Sequence, residues 1–276
     1  MKDGVKGSKR IQLLTASSIA ITIILCFFFA DSLLDGGGGS QKRPRAAIVD
    51  GLLHYPNQMF LEEAEEILCD GGYDVDLIPS EEVTVDLYRR LPSLGYGFIV
   101  LRVHCGPLIR RLPDGTVISE GTVLFTAEAY DPGRYVQYQL NGQLARARIT
   151  ARPDEAYFAV PPWFFEECSI GGFDDAIVVL DSCYGFYVEA PLMMAEAFVE
   201  KGAEVFIGWD GEVQPGHSDE AALALLRALC RDGLTVEEAV ERVMEEVGPD
   251  PYFGSIMLYH PREAGDHRLR GHKEGG

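Results

Sequence analysis

Two short stretches of the chain hold the side chains best suited to covalent chemistry: His104-Cys105-Gly106 and, further on, Asp181-Ser182-Cys183-Tyr184-Gly185. A free thiol has a pKa of about 8.5 and is mostly protonated at neutral pH; a neighbouring imidazole can take its proton and later hand it to a leaving amine. His104 and Cys183 would then form a dyad for acyl transfer, which suits peptide hydrolysis. Glycines at 106 and 185 would let substrate backbone approach and free main-chain N–H groups to face a developing oxyanion. Two other readings fit the same residues: ordinary strand-end positions, or a metal site using both together with Cys105.

The dyad needs elements that bring residues 104 and 183 together. Residues 46–49 form a short apolar run ending in Asp50-Gly51, and Asn57 then caps a helical pattern over 58–69 that closes on Gly71-Gly72. Residues 75–78 read as a second strand, 84–91 as a short helix stopped by Pro92, and 98–103 (FIVLRV) as a third strand ending at His104. Alternation resumes with a strand at 176–180 (AIVVL), a helix over 190–201, a strand at 205–208, helices over 218–230 and 236–247, and a last strand at 255–259. Thr235 with Glu238 makes a capping box. Such alternation predicts an α/β fold, a mainly parallel sheet with helices on both faces.

Residues 107–162 change character. Turn signals stand at Pro113-Asp114-Gly115 and at Asn141-Gly142, the latter between the alternating segments YVQYQL and QLARARI, so an antiparallel insertion with a hairpin at Asn141-Gly142 is expected. In an open parallel sheet ligands sit beyond the carboxyl ends of the strands. His54, His104, Cys183 and Trp209 all fall there.

An apolar strand ending in His-x-Gly, followed later by a strand ending in Asp-Ser-Cys, resembles the caspase-like cysteine peptidases. The segment 195–213 (AEAFVEKGAEVFIGWDGEV) looks like the helix, Gly-Ala turn and strand that follow the nucleophile in their gingipain-like and CHAT-type branches, and 223–247 resembles their next helical pair. The likeness covers most of 46–261 and is weakest over 107–162. It implies a caspase-like fold, His104 as general base and acid, Cys183 as nucleophile, and an oxyanion hole from the Cys183 N–H and Gly106. Asp181 matches the acid of the metacaspase Asp-x-Cys motif, which implies cleavage after Arg or Lys, since a buried carboxylate can hold a guanidinium as a bidentate pair. The chain departs from the pattern in reading His104-Cys105-Gly106 where the family has Gly directly after the His, and in carrying Tyr184 where metacaspases carry His.

Other residues carry weaker signals. His54 fits a loop histidine bonded nearby or a cleft-lining one, and Trp209 either packs beside the site or touches substrate. Asp219 reads as support for a helix N-terminus through the macrodipole, and His217, His260, His267 and His272 as surface or tail residues. Arg110-Arg111 and Arg146, Arg148 and Arg152 read as a solvated face of the insertion, and as self-cleavage sites under a preference for basic residues. Of six cysteines, Cys26 lies apart and the other five cannot all pair; with no CxxC spacing, neither a zinc ribbon nor a thioredoxin-type motif is indicated, and no metal or cofactor is expected.

Composition sets the boundaries. With 276 residues, 47% hydrophobic and 24% charged, the chain is not disordered, collagen-like or a simple coiled coil. Its formal charge of −19 argues against nucleic acid as a partner. Residues 11–30 carry no charge, and at roughly 1.5 Å per residue such a stretch crosses a hydrocarbon core of about 30 Å. It is longer than the apolar core of a removable signal, and Phe28 stands where a cleavage site wants a small residue, so a retained anchor is expected. Lys2, Lys6, Lys9 and Arg10 precede it, placing 1–10 in the cytoplasm and the main domain outside. Residues 31–45 read as a Gly-rich, basic linker, 46–263 as the domain and 264–276 as a flexible tail. The domain and tail together hold 17 Lys+Arg against 40 Asp+Glu, so the acidity is theirs.

The expected function is a membrane-anchored cysteine endopeptidase acting on a peptide or protein substrate. The competing expectation is an inactive caspase-like module that binds a partner at the membrane. A glutamine-amidotransferase-type hydrolase fits poorly: its nucleophile elbow wants a small residue at position 181, and its Cys precedes its His.

Overall fold

The computed structural model describes residues 43–187 and 193–269. The expected anchor over 11–30, the cytoplasmic stretch before it, most of the linker, and His272 lie outside the described residues. Among those described, no helix is long and apolar enough to cross a membrane.

The described residues begin with β1 (Arg45–Asp50), α1 (Gln58–Asp70), β2 (Asp74–Ile78), α2 (Val85–Arg90) and β3 (Tyr96–Arg102). It returns to this pattern with β8 (Ile177–Asp181), α5 (Met194–Glu200), β9 (Val205–Trp209), α6 (Pro215–Cys230), α7 (Val236–Glu246) and β10 (Met257–His260). These strands form one six-stranded sheet in the order β10-β9-β8-β3-β1-β2, parallel except for β10, which runs antiparallel to β9. Side chains alternate across it. Ala46, Ile48, Phe98, Val100, Ile177 and Val179 pack with α1, α6 and α7, while Ala47, Val49, Ile99, Leu101, Val178 and Leu180 pack with α2 and α5. Both faces are buried, which is why these strands read as continuous apolar runs. The Asn57 cap and the Thr235 capping box form as expected, with Asn57 Oδ1 accepting from Phe60 N–H (3.2 Å) and Thr235 Oγ1 from Glu238 N–H (3.2 Å).

Between β3 and β8 the chain builds a second sheet from β4 (Cys105–Arg111), β5 (Val117–Ala129), β6 (Ala145–Ala147) and β7 (Tyr157–Val160), with α3 (Val136–Leu140) between β5 and β6 and α4 (Pro162–Cys168) after β7. This sheet is antiparallel throughout, in the order β4-β5-β7-β6. The expected insertion is present but begins two residues earlier, at Cys105. The hairpin lies elsewhere: it turns at Pro113-Asp114-Gly115, where Asp114 Oδ1 accepts from Thr116 N–H (2.9 Å) and Gly115 has φ 89°. The segment YVQYQL, expected as a strand before Asn141-Gly142, is mostly helix. Its Tyr135 and Tyr138, three apart, both pack on the core, so the spacing that looked like alternation serves a helical face. The expected tail also packs through Leu269, which is buried, and Val236 N–H donates to the His267 carbonyl (3.0 Å).

After β8 the chain must turn sharply beneath β9. Tyr184 sits in the left-handed region (φ 57°), its N–H donates to the Gly211 carbonyl (2.8 Å), and Phe186 N–H donates to that of Trp209 (3.0 Å). Gly185 lies under this turn, and a Cβ there would come within 3.2 Å of both Leu180 Cδ2 and Phe206 Cε1. Its absence of a side chain serves packing, not the substrate approach expected from the sequence. Gly185→Ala should lower unfolding free energy by about 1–3 kcal/mol in urea titrations, since both neighbours are packed core side chains; an unchanged midpoint would show that the turn relaxes freely.

Candidate active site

Register fixes the level of the two reactive residues. Arg102, the last residue of β3, pairs directly with Asp181, the last of β8, and His104 and Cys183 each lie two residues further on. Adjacent strands lie about 4.8 Å apart, so the two residues follow neighbouring strand ends. Both line one cleft of about 720 Å³, between the carboxyl edge of the parallel sheet and the antiparallel sheet.

The imidazole is flanked by the rings of Tyr55 and Phe125, each with its centroid 5.8 Å away, and its Nε2 is buried with no hydrogen-bond partner. Burial, with smaller contributions from His54 and Arg102, pulls its pKa down to about 4. The Cys183 thiol donates to the Val213 carbonyl (3.5 Å) and accepts from the Val213 N–H (3.4 Å). Burial pushes it up to about 11, against the Val213 N–H, which favours thiolate; Glu212 and Asp181 add to the rise. At neutral pH the resting pair is therefore a neutral thiol and a neutral imidazole, with no hydrogen bond between them. Cys105 also faces the cleft but is more deeply buried, and its thiol is pushed well up, which disfavours it as a nucleophile.

The two oxyanion donors expected from the sequence are not equally available. No main-chain carbonyl among the described residues accepts from the Cys183 N–H. Gly106 lines the cleft, but as a β4 residue paired opposite Val123, which engages its main chain in the ladder.

Asp181 and Trp209, expected to touch substrate, do not line the cleft. Each continues the alternate series of its strand that faces α1 and α6, and each is buried beneath α6. Trp209 Nε1 donates to Ser218 Oγ (3.1 Å), whose hydroxyl in turn donates to Asp181 Oδ1. Asp181 Oδ2 is buried without a partner, and burial together with the adjacent Asp219 raises the carboxyl pKa well above its ordinary value. A retained proton accounts for both facts, because a protonated oxygen can donate toward the Asp219 carboxylate.

Asp219 is no simple helix-end charge. Arg102, 1% exposed, donates through Nε and Nη2 to Asp219 (2.7 and 3.0 Å), through Nη1 to Asp50 (2.7 Å), and through Nη2 to the Tyr55 carbonyl (2.8 Å). Asn57 Nδ2 also donates to Asp219 (2.7 Å). His54 turns from the main cleft to Glu155 (3.1 Å) and the Tyr157 hydroxyl (3.0 Å), beside a small void of about 10 Å³ that it shares with His104. His217 bonds the Gly248 carbonyl (3.1 Å).

Sequence reasoning missed several residues that shape the site: Tyr55, Phe125, Val213, Glu212 and the clamp on Arg102. Only Arg102 left a readable signal, since a charge inside FIVLRV must find partners when the strand is buried. No disulfide joins the five described cysteines, and among the described residues no group of three or more His, Cys, Asp or Glu is placed to hold a metal.

The fold and cleft together define a class: an α/β protein presenting a thiol and an imidazole from neighbouring strand ends. Against known proteins, no family model and no curated sequence matches the chain.

Two outcomes are expected. Arg102→Met should destabilise by about 3–5 kcal/mol, because it strands buried carboxylates, whereas Asp181→Asn, which keeps a donor where the proton sits, should cost under about 1 kcal/mol; equal losses in denaturant unfolding would contradict a protonated Asp181. Alkylation of Cys183 by iodoacetamide should climb nearly tenfold per pH unit from about pH 7 to 10, following the thiolate. A plateau below pH 8 would mean a preformed thiolate–imidazolium pair.

Proposed function

We propose that this chain is a membrane-anchored cysteine endopeptidase with a caspase-like fold, in which Cys183 is the nucleophile and His104 the general base and acid. The observation that carries the reading is that His104 and Cys183 follow adjacent strand ends and line one cleft. The resemblance of the strand ends to His-x-Gly and Asp-Ser-Cys adds to it. So does the uncharged stretch over 11–30, read as an anchor with the domain outside the cytoplasm.

In the acylation step the Cys183 thiol proton passes to the His104 imidazole as Sγ bonds to the scissile carbonyl carbon. The oxyanion forms beside the Cys183 N–H. His104 then gives the proton to the departing amine nitrogen, the C–N bond breaks, and a thioester remains. Water, deprotonated by His104, releases the carboxyl product and restores the thiol. Because the resting pair is neutral, proton transfer accompanies attack and does not precede it.

Cleavage after Arg or Lys, which the resemblance attaches to Asp181, needs an acid in the cleft. Glu212 fills that position: it lines the cleft, accepts from the Tyr184 hydroxyl (3.3 Å), and precedes the residue that touches the thiol. A basic side chain beside the cleaved bond would pair with Glu212.

One observation favours a second reading, a non-catalytic module that binds a partner at the membrane. The thiol is engaged with Val213, the imidazole nitrogen has no partner, and no hydrogen bond joins them. A peptide acyloxymethyl ketone carrying Arg separates the two. It should modify Cys183 in the full-length chain, not at all in Cys183→Ala, and at least about 100-fold more slowly in His104→Ala. Modification that is indifferent to His104 would favour the non-catalytic module.

A further inference from the structure

An antiparallel sheet with one face on water ordinarily alternates apolar and polar residues along each strand. The insertion breaks that pattern: β5 contains Val123-Leu124-Phe125 and β7 contains Phe158-Ala159-Val160, apolar at successive positions. Leu124, Phe158 and Val160 pack into the same core as α2 and α5. On the other face Val123, Ala147 and Ala159 form a cluster of their own, with Leu108, Phe125 and Ala145 packed against it. The register sets these residues side by side, Phe125 opposite Ala159 and Ala159 opposite Ala145. Leu108, Val123, Phe125, Ala145 and Ala147 line the cleft that holds Cys183. The cleft therefore has an apolar wall, in which alanines make a low floor beside the larger Leu108 and Phe125. An apolar face turned to a water-filled cleft is matched to apolar matter that displaces the water.

This wall has a fixed relation to the dyad. Phe125 N–H donates to the His104 carbonyl (2.9 Å), and the two rings lie 5.8 Å apart, centroid to centroid. The thiol is held by Val213 instead, with Glu212 one residue before it. In acyl transfer the imidazole must come within about 3 Å of the departing amine nitrogen to give it the proton. The residue that carries this nitrogen, directly after the cleaved bond, is then the one nearest Phe125. The residue before the bond is acylated onto the thiol, on the side of Glu212. Successive side chains of an extended peptide point to opposite sides, so one directed to Glu212 is followed by one directed to the wall.

We propose that Phe125, Leu108, Ala145 and Ala147 form a subsite for a large apolar side chain, Leu or Phe, on the residue directly after the basic one held by Glu212. This rests on the peptidase reading above for the order of the two residues. It adds a specificity determinant on the imidazole's side of the cleft.

The test uses four fluorescent peptides that differ only around one Arg: Ser-Arg-Leu, Leu-Arg-Ser, Ser-Arg-Ser and Ser-Arg-Glu. With the full-length chain, kcat/KM for cleavage after Arg should be at least about tenfold higher for Ser-Arg-Leu than for Ser-Arg-Ser, as burial of a leucine side chain allows. Ser-Arg-Glu should be the slowest. Ala145→Phe, which places a ring on the alanine floor, should bring the Leu-to-Ser ratio to about one. Leu140→Ala, at an exposed position outside the cleft, should leave that ratio unchanged. A ratio of two substrates is independent of how much of a variant is folded. Equal rates for all four peptides, a preference for Leu-Arg-Ser, or a ratio indifferent to Ala145→Phe would overturn the proposal. Anisotropy with the same peptides and the full-length Cys183→Ala chain tells its failure from that of the peptidase reading. Tighter binding of Ser-Arg-Leu that Ala145→Phe removes, without cleavage by the Cys183 chain, keeps the apolar subsite and removes the peptidase. Cleavage after Arg whatever residue follows does the reverse, and neither binding nor cleavage of any peptide removes both.

Discussion

One buried guanidinium ties the site together. Arg102 gives up water for four bonds, to Asp50 on β1, to both oxygens of Asp219 on α6, and to the Tyr55 carbonyl in the loop after β1. A buried ion cluster of this kind rarely adds net stability over apolar packing, but breaking it is costly, so it fixes geometry more than it strengthens the fold. The geometry it fixes is that of the cleft. Holding Asp219 anchors α6 behind the 212–215 segment that contacts the thiol, and holding the Tyr55 carbonyl keeps that ring against His104. His104 itself lies two residues past Arg102 on the same strand. The level of the imidazole, the position of its flanking ring and the wall facing Cys183 thus follow from one side chain.

The cluster also explains why three carboxyls can share so small a space. One guanidinium cannot neutralise Asp50, Asp181 and Asp219 together, and two ionised carboxylates side by side in low dielectric repel strongly. Burial and the neighbouring Asp219 hold the Asp181 carboxyl pKa well above its ordinary value, which favours the neutral form, and the Ser218 hydroxyl donates to its Oδ1. This matters for the nucleophile two residues away. Asp181 is already a minor contributor to the raised thiol pKa, behind burial, which dominates. The acidity of the domain as a whole has little bearing on the thiol, since exposed charges beyond about 8–10 Å are screened by salt.

How much of this was legible in the sequence depended on period and distance. His104 and Cys183 could be found because each ends an apolar run, and strand ends in a parallel sheet converge by construction. The same period of two, carried one step further, locates Asp181 and Trp209 as well. They continue the 177, 179 and 205, 207 series, whose partners lie under α6, so their burial was implicit in residues already assigned to strands. The part that was not legible is tertiary. YVQYQL satisfies both a strand and a helix period, and only the core contact of Tyr135 and Tyr138 decides between them. Glu212 gave no signal, being a single acid in an acidic chain.

The insertion stands in a particular relation to the dyad. β3 ends at Arg102 and β4 begins at Cys105, so Val103 and His104 are the whole link between the two sheets on that side. The His104 carbonyl accepts from Phe125 N–H on β5 (2.9 Å), and Phe125 also packs against its ring. Cys183, by contrast, hangs from the parallel sheet alone, held by a turn bonded to Gly211 and Trp209 and by Val213. The two reactive groups therefore answer to different supports. Displacing the antiparallel sheet moves the imidazole and the Gly106 main chain together, while the thiol and Glu212 stay with α6 and β9. The separation of base from nucleophile is thus a relation between two sheets.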